Sequence, residues 1–163
     1  MILLTRNPTK TLGIKKEGDK LQISTKGRYG LRALVDLAKH AQETPIPINH
    51  IAVRQDISER YLEQLMAKLK KAELVKSVRG ANGGYVLGKA SRDISVGDVL
   101  RALEGNLKSA DCKAFVKQNP CESADECMVK FVWQKINDSV NETVDKITIE
   151  QLLTRDNGRQ DDE

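Results

Sequence analysis

The chain has 163 residues, enough for one domain of ordinary size plus an arm, and its 39% hydrophobic share with only two Phe and one Trp calls for a core of Leu, Ile, Val and Ala, which suits helices. No apolar run reaches the ~20 residues of a membrane span, and the opening MILLTRNPTK has too short an apolar stretch for a secretory signal, so a cytoplasmic location is expected. The net charge of +4 divides unevenly: residues 1–90 carry 17 Lys/Arg against 8 Asp/Glu and residues 91–163 carry 10 against 15, a basic half suited to a polyanion beside an acidic half.

Residues 1–20 show no sustained period and read as a flexible N-terminal extension. A first helix is predicted from Lys26 or Arg28 to His40. Leu31, Leu34, Val35, Leu37 and Ala38 share its inner face, and Arg28, Arg32, Asp36 and Lys39 its outer one. Pro45 and Pro47 end it. A short helix from Asn49 to Gln55 follows, and Ser58 is placed as the N-cap of a third helix running from Glu59 to Ala72. Leu62, Leu65, Met66 and Leu69 fall at i, i+3, i+4 and i+7 and face the core. The margins and outside then hold Arg60, Tyr61, Glu63, Gln64, Ala67, Lys68 and Lys71.

Residues 74–79 alternate as a strand, and 85–87 return as its partner. Between them Gly80-Ala81-Asn82-Gly83-Gly84 is expected to need positive φ at several positions. Ser95 and Asp98 fit a capping box, ahead of an amphipathic helix carrying Val96, Val99, Leu100 and Leu103. Residues 105–126 lack apolar periodicity, an unusual length for a structureless loop. From Cys127 a helical pattern resumes through Val129, Val132, Trp133, Ile136, Val140, Thr143 and Ile147. Thr148 and Gln151 make a second capping box before Leu152 and Leu153, and residues 154–163 read as a disordered tail.

A helix of about 12 Å diameter fits the major groove, and helix-turn-helix proteins insert the N-terminal part of their second helix. Here that part offers Ser58, Arg60, Tyr61, Glu63 and Gln64, with Lys68 further along. Gln pairs with adenine edges and Arg with guanine, while Glu63 accepts from cytosine or repels wrong sites. The glycine-rich wing adds Lys76, Ser77, Arg79 and Asn82, and Arg28 adds a further cation for phosphate. Each charged residue taken singly fits a solvated face. Helix, link and wing together read as a winged helix-turn-helix reader of double-stranded DNA. His40 and His50 are isolated and read as structural or surface residues.

Cys112, Cys121 and Cys127 lie within sixteen residues. An odd number in a cytosolic chain argues against a disulfide framework, and clustering argues for a metal site or a redox switch. The spacing C-x8-C-x5-C matches no common zinc module, and three cysteines alone do not complete four thiolate ligands. On the residues alone an iron–sulfur site, zinc and free thiols stay open. An enzyme or redox carrier finds no Cys-x-x-Cys pair, nucleotide loop or acid/base constellation to support it.

The segments STKGRYGLRALVDLA, ISERYLEQLMAKLKKAELVKSVRGANGGYVLGK and ISVGDVLRALEG resemble the family of the iron–sulfur cluster regulator IscR, bacterial repressors that include CymR and NsrR. The resemblance spans residues 21–153, with YLEQL and VRGxxGGYxL its most specific pairing. It implies a mainly α, homodimeric transcription regulator with a winged helix-turn-helix domain at 21–104, a cysteine loop at 105–126 and a dimerisation helix with a short terminal helix at 127–153. It also implies a [2Fe–2S] cluster on Cys112, Cys121 and Cys127, completed by a histidine three residues past the last cysteine. Lys130 occupies that position here, and a protonated Lys has no free lone pair. The fourth ligand is therefore unknown, with Asp111, Glu122, Asp125, Glu126 or a partner chain as candidates. Promoter DNA and cluster-assembly proteins are the partners this implies. The alternative within the family is a cluster-free, CymR-like regulator of cysteine metabolism that acts through a partner enzyme.

Overall fold

A computed structural model of the chain describes residues 23–41, 44–107 and 127–157. Six α-helices and one two-stranded sheet make up its regular elements, among the described residues. They are α1 (Thr25–His40), α2 (Ile48–Gln55), α3 (Glu59–Lys71), β1 (Val75–Val78), β2 (Gly84–Leu87), α4 (Val96–Glu104), α5 (Lys130–Lys146) and α6 (Ile149–Asn157), with a 3-10 turn at Ser91–Asp93.

α1 starts where Ser24, in extended conformation, accepts a hydrogen bond from the Lys26 amide. The Glu104 carboxylate at the far end of α4 completes the cap, accepting from the Ser24 amide at 3.0 Å, its hydroxyl at 2.5 Å and the Gly27 amide at 2.9 Å. An anion at a helix N-terminus meets both the free amides and the positive end of the dipole. α2 ends at Asp56, whose φ of 52° is left-handed, and the chain turns through buried Ile57 into α3. Ser58 stands at the N-cap position of α3, but its side chain makes no capping bond.

The ridge Leu62, Leu65, Met66 and Leu69 of α3 is at most 1% exposed. It packs with Leu34 and Leu37 of α1, Ile51 of α2, Val99 and Leu103 of α4, Ile94 and Ile149 in one core. Each such side chain contributes roughly 1.5–3 kcal/mol by leaving water. The antiparallel wing pairs Val75 with Leu87, Lys76 with Val86, Ser77 with Tyr85 and Val78 with Gly84. Tyr85 also exchanges two backbone bonds of 2.9 Å with Ile46, which fastens the wing to the chain entering α2.

The Ser95–Asp98 and Thr148–Gln151 capping boxes both form. A bridge between Ser95 and Thr148 brings the chain back after α5, so Ile149 of α6 is fully buried in the core of the head. α5 itself has no buried residue.

Four expectations change. Asp36 is not on an outer face but 6% exposed, because Arg54 and Gln55 of α2 pair with it. Within the wing turn only Gly80 has positive φ, at 118°; Gly84 is needed for space, since a Cβ there would lie 2.4 Å from the Ile46 backbone. α5 begins at Lys130 rather than Cys127, so the rod is about 25 Å long. α6 carries the helix through residues 154–157, where a disordered tail was expected.

Candidate nucleic-acid interface and cysteine segment

The phase of α3 sorts its polar residues. With 3.6 residues per turn, Arg60, Gln64, Ala67 and Lys71 stand opposite the buried ridge. All four are exposed, as are Ser58 and Glu63. Tyr61 and Lys68 lie on the flank that meets α1 and α4; Tyr61 is half-buried there and Lys68 is exposed. The Tyr61 ring is half-buried edge-on against Tyr29, with centroids 6.3 Å apart and planes at 88°. The Lys68 ammonium donates to the Leu103 carbonyl at 3.2 Å, at the C-terminal end of α4 where a cation is favoured. Both therefore have a contact inside the head, and Lys68 keeps its exposed position on α3 as well.

The opposite flank of α3 meets the wing. Lys70 donates to the Ser77 hydroxyl at 2.6 Å, so Ser77 ties β1 to α3. Around this contact a cleft of about 650 Å³ is lined by Lys70, Lys76, Arg79 and Lys89, against one carboxylate, Glu73. Arg79 and Asn82 are exposed at the wing turn, and Arg28 is exposed in the first turn of α1. The sequence reading missed Lys70 and Lys89. The Lys-Lys pair at 70–71 that closes α3 was the available signal, and only the folded wing shows that Lys70 bends toward it.

The base of the reading unit is held by charge. Asp36 of α1 accepts from Arg54 Nη2 at 2.7 Å, Arg54 Nε at 3.0 Å and Gln55 Nε2 at 3.0 Å. The hydrogen bond to Asp36 raises the Arg54 pKa above its ordinary value, against a smaller opposing effect of burial. Arg32 spans the same two helices, donating to the Gln55 side chain at 3.1 Å and its carbonyl at 3.0 Å while lying 5.6 Å from the Tyr29 ring centre. α2 is thereby locked to α1, and α3 docks on both.

Cys127 is half-buried, and its carbonyl accepts from the Lys130 amide at 3.1 Å. Cys112 and Cys121 lie outside the described residues, as do Asp111, Glu122, Asp125 and Glu126, the extension 1–20 and the segment 158–163. Among the described residues no three His, Cys, Asp or Glu side chains gather as a metal site. The apolar residues in the N-terminal half of α5 are exposed, Phe131 66%, Val132 48%, Trp133 38% and Ile136 39%, while Val140 and Val144 are half-buried. Phe131 was not on the predicted stripe. No helix among the described residues is long and apolar enough to cross a membrane.

Known proteins resemble the chain over most of its length. The family described as Rrf2, an iron-dependent transcriptional regulator, matches residues 23–155. The HTH-type transcriptional regulator IscR of Pectobacterium carotovorum is 38% identical over 133 residues, covering 82% of this chain and 79% of that protein. The HTH-type transcriptional regulator CymR of Bacillus subtilis is 40% identical over 141 residues, covering 86% of this chain and 96% of the other. Among solved structures, T. potens IscR superposes with a TM-score of 0.66 at 47% identity, covering 82% of this chain and 87% of that one. The relatives are named regulators and not enzymes, and the winged-helix head with its wing and exposed α3 face has the architecture they share. The chain belongs to the Rrf2 family of DNA-binding transcriptional regulators.

Proposed function

We propose that the chain works in the cytoplasm as a homodimeric repressor that reads promoter DNA and controls iron–sulfur cluster biogenesis genes, with a labile [2Fe–2S] cluster as signal. One observation carries the DNA reading: the outward face of α3, led by Arg60 and Gln64, is flanked by a wing cleft with four cations and one carboxylate. Arg and Gln offer bidentate contacts to guanine and adenine edges. The wing cations Lys76, Arg79 and Lys89 suit phosphate, which positions the protein without selecting sequence. Glu63, exposed beside them, excludes sites that place an acceptor or phosphate against it. The exposed apolar face of α5 supports the dimer, because a second copy would take Phe131, Val132, Trp133 and Ile136 out of water.

The donor set fits the cluster in part. Cys112, Cys121 and Cys127 would hold it through thiolates, the ligand that iron–sulfur clusters take. Lys130 in place of histidine leaves a fourth ligand to an oxygen donor or a partner chain. When bound, such a cluster supplies a redox-sensitive group whose retention depends on iron and oxygen. Lys130 also favours the second reading, a cluster-free regulator of cysteine metabolism like CymR, the relative of which this chain covers 96%. Visible absorption with iron and sulfide analysis of anaerobically purified protein separates the two. Absorption bands with about two irons per chain support the cluster. No iron, no sulfide and no bands eliminate it and promote the CymR-like reading.

A further inference from the structure

We propose that Arg101 sets the angle between the reading head and α5, and so determines the spacing of DNA half-sites that a dimer accepts. The inference rests on the dimeric DNA-binding reading above. Arg101 lies on α4, inside the head, and its guanidinium reaches two positions on α5. Nη1 donates to Asn141 Oδ1 at 3.2 Å, and Nη2 donates to Asp145 Oδ1. These partners are four residues apart, one turn along the same face. A single contact leaves a helix free to pivot, whereas two contacts along its axis fix its direction.

The surroundings reinforce that clamp. Asn141 Nδ2 donates to the Leu107 carbonyl at 3.3 Å and to the Asn137 carbonyl at 2.8 Å, so the chain leaving α4 is tied to the same turn of α5. At Gly97 the two helices come so close that a Cβ would lie 2.0 Å from Asp145 Oδ1. Just beyond, the Val96 amide donates to the Ile147 carbonyl at 2.8 Å. All of this gathers at the C-terminal half of α5. Its N-terminal half, with Phe131, Val132, Trp133 and Ile136, is the exposed dimer face. The pose of each head relative to the dimer axis therefore passes through Arg101, Asn141 and Asp145.

A dimer reads half-sites about one helical turn apart, 34–36 Å for 10–10.5 base pairs. Moving a half-site by one base pair shifts it by ~3.4 Å and rotates it by about 35°. Heads held at a fixed angle do not follow that displacement, and heads released from the clamp do. Arg suits this task better than Lys, because its planar fork addresses two acceptors at once.

The test uses the full-length protein and a duplex selected by it from a random pool, together with derivatives whose half-sites are moved by one or two base pairs. Wild type is expected to lose roughly tenfold in affinity for each displaced derivative, the scale of a mismatched pair. Arg101→Ala should flatten the profile to about threefold, and Arg101→Lys should fall between. The dimer, measured by sedimentation, and the slope of affinity against salt should not change. If Arg101→Ala does not dimerise, Asn141→Ala, which removes one arm of the clamp, should flatten the profile in the same direction. An unchanged profile overturns the proposal. So does an equal loss at every spacing with a shallower salt slope, which marks a direct phosphate contact. A wild-type protein that selects no duplex, or binds every spacing alike, refutes the underlying dimeric reading and the proposal with it.

Discussion

Arg54→Ala should destabilise the head far more than Asp36→Asn, although the two changes break the same ion pair. The Asp36 side chain is 4% exposed and the Arg54 side chain 32%. Removing Arg54 strands a carboxylate that is largely shielded from water. It keeps the Gln55 Nε2 bond at 3.0 Å and has the His40 ring nitrogen at 3.7 Å. An uncompensated buried charge costs about 3–5 kcal/mol, and the surviving bond puts this case near 3. Asp36→Asn leaves the guanidinium facing water on one side, and an amide oxygen that still accepts from Gln55, at a cost of about 1 kcal/mol. With total stability of about 5–15 kcal/mol, the first change is serious and the second mild. Urea unfolding followed by circular dichroism measures both, and at an m-value of about 2 kcal/mol/M the midpoint should drop by about 1.5 M for Arg54→Ala and 0.5 M for Asp36→Asn. The raised Arg54 pKa adds no pH dependence in the working range. A cation whose folded pKa is raised contributes fully below its unfolded value, and for Arg that contribution is lost only as pH climbs beyond it. Equal losses for the two variants, or a larger one for Asp36→Asn, would refute the burial argument.

Arg79→Ala should weaken DNA binding across all sequences and reduce the salt slope by about 1, whereas Gln64→Ala should shift base preference by roughly 1–3 kcal/mol; competition binding at two salt concentrations distinguishes them. Ile136→Asp places a charge in the exposed apolar face of α5, at a cost of several kcal/mol when a second copy covers it, and sedimentation should find a monomer. Glu73 holds a φ of 59°, so Glu73→Gly should raise stability in thermal unfolding by about 0.5–1 kcal/mol through relief of the left-handed strain. Alanine at Cys112, Cys121 or Cys127 should each abolish the visible bands and most of the iron, while Lys130→Ala should retain both; loss of the bands in Lys130→Ala would make Lys130 a participant in the site.

The elements that the sequence made legible are those in which one repeat of apolar residues faces one core. Leu62, Leu65, Met66 and Leu69 mark α3 by spacing alone, and the capping boxes at Ser95 and Thr148 announce α4 and α6 through residues three apart. What stayed hidden depends on partners far along the chain. Glu104 caps a helix that begins 80 residues earlier, and Arg101 reaches Asp145 across 44. Asp36 looked like an outer-face residue because its helical phase lies beside Arg32 and Lys39. Its burial follows only once α2 supplies Arg54.

Contacts on the two flanks of α3 narrow the reading face. Phase within α3 gives the angle of each side chain but not what lies against it, so the contacts of Tyr61 with Tyr29 and of Lys68 with the Leu103 carbonyl show only in the folded head. Lys70 and Ser77 join on the other flank. Between them Arg60, Gln64 and Lys71 are left to project freely, and only side chains without a partner inside the head can exchange water for a base edge without first breaking a bond of their own. Specificity should therefore concentrate in Arg60 and Gln64, while Tyr61 and the exposed Lys68 each have a contact inside the head to give up before they meet a base.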